Sequence, residues 1–136
     1  MITADSILPI DAGSLPEFAS VLASEDIAKL IGWLNEKEDK IRYRSFLLLQ
    51  HRSSASPDVY PYWEDFRAKL KNDNSYQRSI GIMLLAENAR WDTGGQAKEA
   101  LDDCFSLLSD ERPITIRQCI QSLENLSGHN LSWVTV

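Results

Sequence analysis

The chain has 136 residues, 43% of them hydrophobic and 25% charged, with a formal net charge of -6, a composition ordinary for one globular domain. It speaks against disorder, and the negative total speaks against a dedicated phosphate-binding protein, which usually carries a strong basic excess. No segment approaches the roughly 18 apolar residues of a membrane span, and the opening "MITADSILPI" has neither a basic region nor a long apolar run, so the expectation is a cytoplasmic protein with no membrane contact.

In chain order, the first expected element is a short helix opened by "SLPE", Ser14 to Glu17, which has capping-box spacing. Ile27, Leu30, Ile31 and Leu34 then recur at i, i+3, i+4, i+7 and predict a helix over 25–35, with Ser24 placed to cap it. The stretch "DKIRYRSFLLL" predicts a second helix over 39–52. Trp63, Phe66 and Leu70 mark the next, over 59–71, with Asp58 as its cap and Pro61 in its first turn, where a missing N–H costs little. "SYQRSIGIMLL" predicts a helix over 75–89. Leu101, Cys104, Phe105 and Leu108 predict one over 95–108, and "PITIRQCIQSL" one over 113–126, capped by Asp110 with Pro113 in its first turn. The tail 127–136, with Trp133, is expected to lay an apolar lid over the last helices. No strand pattern of useful length occurs, so the fold class is all-α.

These helices form a register. Ile27, Trp63 and Leu101 align, as do Leu30, Phe66 and Cys104, and Leu34, Leu70 and Leu108, at steps of 36 and 38 residues. Each first helix (A) is followed by a polar link, "NEKEDK", "KNDNSY" or "SDERPIT", and then by a second helix (B) with an arginine near its start: Arg42, Arg78 and Arg117. Two helices per period of about 37 residues predict an α-solenoid, here a single domain of three helix pairs, 25–52, 59–89 and 95–126, behind an N-terminal segment and cap, 1–24. Gly81 aligns with Ser45 and Ile120, where a missing side chain would let neighbouring helices approach closely.

The "DKIR" opening from Asp39, and more loosely "YQR" and "TIR", resemble the inner-helix start of HEAT repeats. The run "NSYQRSIGIMLLAENARWD" with "PITIRQCIQSLENL" is similar to a group of small bacterial HEAT-like proteins. The resemblance covers about residues 25–126; the chain departs from the pattern in lacking the consensus proline of the A helices and in Gln77, where an aliphatic residue is usual. It implies a scaffold that binds macromolecules, although a fold does not by itself imply a function.

The charge is uneven: residues 1–36 carry six acids and one base, 37–78 nine bases and six acids, and 79–136 four bases and eight acids. The arginine series Arg42, Arg78, Arg117 is expected to be a structural ladder, bridging to acids or helix-end carbonyls of a neighbouring repeat; the alternative is an anion-binding row. Partner contact is expected at Tyr43, Arg44, Tyr76 and Gln118, which adjoin those arginines off the clearest apolar stripes, and at Trp91 beside a helix end. Trp33 and Trp63 read as packing residues.

No catalytic residue, cofactor or metal is expected. "DTG", Asp92 to Gly94, occurs once between helices, whereas aspartic-protease chemistry needs a carboxylate pair. His51 and His129 have no HExxH or CxxC companion, and Cys104 and Cys119 read as buried reduced thiols. The leading expectation is a non-enzymatic protein–protein interaction module. The alternatives are nucleic-acid binding through the basic 37–78 segment, as HEAT-like DNA glycosylases grip a duplex, and a small-ligand enzyme using Trp91, Asp92 and Arg78. A homodimer through the open ends is left open.

Overall fold

The computed structural model describes residues 2–92 together with Gln96 and Asp103. The expected helices over 95–108 and 113–126, with Arg117, Gln118, both cysteines and the Trp133 tail, lie outside the described residues. Among the described residues every regular element is helical: α1 (Ala4–Ile7), α2 (Leu15–Ser20), α3 (Ser24–Trp33), α4 (Asp39–Ala55), α5 (Trp63–Lys69) and α6 (Ser75–Asn88), with 3-10 turns at Ala12–Ser14, Pro57–Tyr62 and Ala89–Trp91. The fold is all-α. Two compact units divide between Val59 and Tyr60.

In the first unit, α1 is closed by a reciprocal cap in which the Thr3 amide donates to Ser6 Oγ at 2.9 Å and the Ser6 amide to Thr3 Oγ1 at 3.2 Å. This holds Ile7, which is fully buried. Helix α2 starts after Ser14, as its sequence suggests, but the Ser14 hydroxyl makes no capping bond. Its backbone, at φ -97 and ψ -6, continues the preceding 3-10 turn, whereas a capping side chain needs an extended residue.

The start of α3 also corrects the sequence reading, because Ser24 is the first helical residue and not its cap. Asp26 does the capping: one carboxylate oxygen accepts from the Ala23 amide at 3.0 Å and the other from the Ile2 amide at 3.0 Å. Lys29 Nζ donates to the Ile2 carbonyl at 3.1 Å, so the chain start is tied on both sides of one residue. A carboxylate satisfies two donors where the Ser24 hydroxyl would satisfy one. The Ala23 and Ile2 amides hold the Asp26 carboxyl below its usual range against the opposing effect of burial.

A carboxyl with a depressed folded-state pKa stabilises the protein above its unfolded pKa, and that contribution is lost as pH falls through the folded value. Asp26→Asn is therefore expected to lower the unfolding free energy read from urea titration at pH 7 by about 1–2 kcal/mol, and the gap from wild type to narrow as the pH falls below about 4. A gap independent of pH would show that the charge on Asp26 plays no part.

Helix α4 packs on α1, α2 and α3 and buries Phe46, Leu48 and Leu49 together with Ser45 and Ser53. It runs one turn beyond the expected end at residue 52. Ser53 Oγ donates to the Leu49 carbonyl at 2.7 Å, which makes a hydroxyl acceptable in the core.

The expected helix over 59–71 is divided: Pro57–Tyr62 is a 3-10 stretch and the α-helix begins only at Trp63. Pro61 lies inside that stretch rather than in the first turn of an α-helix, and its ring and missing N–H forbid the bond back to residue 57 that an α-helix requires. Asp58 does not cap α5; its carboxylate accepts from Arg52. In the second unit α5 and α6 pack face to face around Trp63, Phe66 and Leu70 from one side and Ile80, Leu84 and Leu85 from the other, all buried. Gly81 lies at the point of closest approach. A Cβ there would sit 2.6 Å from the Phe66 carbonyl oxygen and 2.8 Å from Lys69 Cβ.

Candidate functional site

The two described links between an A and a B helix follow the same backbone path. After α3, the amides of Leu34, Asn35 and Glu36 donate to the carbonyls of Ile31, Gly32 and Trp33 at 3.3, 3.2 and 3.1 Å. After α5, the amides of Leu70, Lys71 and Asn72 donate to Arg67, Ala68 and Lys69 at 3.1, 3.2 and 3.1 Å. The residues preceding the B helices match as well, with φ -73 and ψ 117 at Glu38 and φ -84 and ψ 123 at Asn74. Every one of these pairs stands 36 residues apart.

The arginines occupy equivalent places in this geometry. Arg42 Nη1 donates to the carbonyls of Glu36 and Lys37 at 3.2 and 3.4 Å, and Arg78 Nη1 to those of Asn72 and Asp73, both at 2.9 Å. Each guanidinium closes carbonyls that have left the A helix and have no helical partner. These carbonyls belong to the arginine's own link. The reason is reach: an arginine one turn into a helix lies over the turn N-terminal to its own Cα. Arg42 also pairs with Asp39, but Asp39 is exposed and such pairs contribute little.

Of the residues expected to meet a partner, Tyr43 and Tyr76 are 60% and 67% exposed and lie on α4 and α6 beside the two arginines. Arg44 is half-buried and donates to the Ile10 carbonyl, a bond within its own unit. Trp91 is half-buried and ends the 3-10 turn after α6. Trp63 is buried, whereas Trp33 is half-buried at the end of α3.

Next to Trp91, Asp92 joins a polar network that the sequence did not show. Tyr60 donates its hydroxyl proton to Asp92 Oδ1 at 2.7 Å, and the Gln96 amide donates to the same oxygen at 3.0 Å. Gln96 Nε2 donates to the Tyr60 oxygen at 2.9 Å. The Tyr60 ring lies 5.6 Å from that of Trp63, tilted by 47°. Loss of solvent, followed by the Asp92 carboxylate, pushes the Tyr60 phenol up to about 12. Asp92 thus accepts from a tyrosine and a backbone amide, and Arg78 donates to two carbonyls of its own link.

An acid whose folded pKa is raised is stabilising below its unfolded value, near 10, and that contribution is lost as pH rises towards the folded one. Titrating tyrosinate absorbance should reveal one late step near pH 12, and Tyr60→Phe should remove it. A Tyr60→Phe titration that retains the late step would assign it to another tyrosine. The Tyr60 network is not legible in the sequence, because no spacing along the chain says that Tyr60, Asp92 and Gln96 will share hydrogen bonds. Lys69 escaped the sequence reading, although the 36-residue alignment offered a signal by placing a lysine opposite Trp33.

Compared with protein-family models, curated proteins and solved structures, the chain matches none. Among the described residues no three His, Cys, Asp or Glu side chains come together as metal ligands would, and no helix is long and apolar enough to cross a membrane.

Proposed function

We propose that this protein is a non-enzymatic interaction module, an α-solenoid of HEAT-like helix pairs that binds a protein partner through its B helices. The observation that carries the reading is the recurrence of the link: the same three backbone bonds, the same helix entry and the same arginine on two carbonyls, 36 residues apart. Repeated helix pairs of this kind supply extended surfaces rather than single pockets. Tyr43 and Tyr76 are the natural contacts, since an exposed tyrosine brings a large amphipathic ring at low entropic cost. Gln118 and Trp91 remain candidates; Arg44 is less apt, because it already holds the Ile10 carbonyl.

The nucleic-acid alternative rests on the nine bases of residues 37–78. Arg42, Arg44, Arg52, Arg67, Lys69 and Arg78 among them bond to groups of this chain, which occupies donors that phosphate contacts would need. Affinity capture from the source cell with wild type and with a Tyr43→Ser, Tyr76→Ser double variant tests the proposal. A specific protein recovered by wild type at moderate salt and reduced about tenfold by the variant, a difference of roughly 1.4 kcal/mol, is the expected result. Equal recovery by both would remove the tyrosines from the interface. A mobility shift of DNA or RNA at low salt that weakens steeply as salt rises would favour the alternative instead.

A further inference from the structure

Both described helix pairs carry apolar residues at matching positions. Ile27 and Trp63, Leu30 and Phe66, and Leu34 and Leu70 stand 36 residues apart, and all six are buried. Hydrophobic burial has no direction, so a chain built this way faces an alternative in which α5 pairs with α4, or α3 with α6. Internal repeats make such exchange a standing hazard, within one chain or between two copies.

The pairs differ where the helices come closest. Lys69 and Gln77 are 8% and 9% exposed, and Lys69 Nζ donates to Gln77 Oε1 at 2.6 Å. Gln77 and Gly81 lie one turn apart on α6 and so share a face. The absent side chain at Gly81 admits the Lys69 Cβ and the Phe66 carbonyl, and the lysine stem then runs to the amide one turn away. In the first pair the corresponding positions hold Trp33, Ile41 and Ser45. We propose that Lys69, Gln77 and Gly81 form a pairing code that admits α5 to α6 and excludes it from α4.

The exclusion of α5 from α4 has two parts. Docked on α4 in the same geometry, α5 would meet the Cβ of Ser45 where Gly81 has none, and the Lys69 ammonium would face Ile41, which offers no acceptor. Burial pushes the Lys69 amine down from its ordinary value, opposed by the charge of Asp65, so the native pairing itself bears a desolvation cost. A buried polar pair that costs stability yet specifies register is an attested device in helical assemblies. Ser45, at the corresponding crossing of the first unit, is fully buried with an Oγ that has no hydrogen-bond partner.

The test uses the full chain and three variants. Gln77→Leu removes the oxygen to which Lys69 donates at 2.6 Å and should lower the thermal midpoint by about 5 °C or more. Lys69→Met with Gln77→Leu replaces the pair by apolar groups of similar volume and should restore the midpoint to wild type or above. That double variant should also show extra amide resonances for α5 and α6, or a dimer fraction raised at least several-fold by light scattering. Lys69→Gln with Gln77→Lys keeps a polar pair and should retain one set of resonances and the wild-type mass. An apolar double variant that is stable, monodisperse and single in its resonances would overturn the proposal. So would an apolar double variant that fails to fold while the exchanged pair folds, because the pair would then serve stability and not pairing.

Discussion

Gly81→Ala is expected to destabilise the second unit, by about 1–3 kcal/mol, although alanine is the better helix former by roughly 1 kcal/mol. Two of the atoms that the new Cβ meets cannot rotate away: the Phe66 carbonyl oxygen at 2.6 Å belongs to the backbone of α5, and Lys69 Cβ at 2.8 Å is fixed to it. The helices must therefore separate, which weakens every contact between the α5 and α6 cores. Gly32, in α3, supplies the control. It is exposed, and nothing lies within 4 Å of the position its Cβ would take, so Gly32→Ala should stabilise by about 0.5–1 kcal/mol. Urea midpoints of the two variants should move in opposite directions. A Gly81→Ala protein as stable as wild type would mean that α5 and α6 tolerate a wider spacing than the one seen.

Arg52→Ala should weaken the first unit by about 2–3 kcal/mol. Its Nη1 donates to the carbonyls of Ala19 and Ser20, at 3.1 and 2.9 Å, and its Nη2 pairs with Asp58. The cation thus closes the C-terminal end of α2, where helix carbonyls lack partners and a positive charge is favoured. A six-residue helix has no stability of its own, so α2 depends on this clamp and on its packing against α4. Arg52→Lys should recover only part of the loss, since an ammonium lacks the planar fork that spans two carbonyls and a carboxylate. The Arg52 hydrogen bond holds the Asp58 carboxyl below its usual range. That share of stability is present above the ordinary carboxylate pKa and is lost as pH falls through the lowered one. The penalty of Arg52→Ala should accordingly be smaller near pH 3 than at pH 7; a constant penalty would assign the whole effect to the two carbonyls and none to Asp58.

The consequences differ for function. Arg42 and Arg78 close links and Arg52 closes a helix end, so cations that look like a binding patch in the sequence have acceptors inside the chain. Among the described residues, the large apolar side chains exposed on α4 and α6 are the rings of Tyr43 and Tyr76.

Periodicity alone was enough for the all-α class, for the limits of α3, α4 and α6 to within a few residues, and for the 36-residue step between Arg42 and Arg78. These depend on local spacing, which the chain displays one residue after another. Even the close approach at Gly81 was legible, because a glycine inside an apolar helix costs stability unless something needs the space. The caps were not: Asp26 took over from Ser24, and Asp58 turned from α5 to Arg52, because an acceptor bonds whichever donors the fold brings nearest. The Tyr60, Asp92 and Gln96 network and the Lys69–Gln77 bond likewise join residues that only folding brings together. Spacing is written along one dimension, whereas the partner of a polar group is decided by the tertiary fold in three.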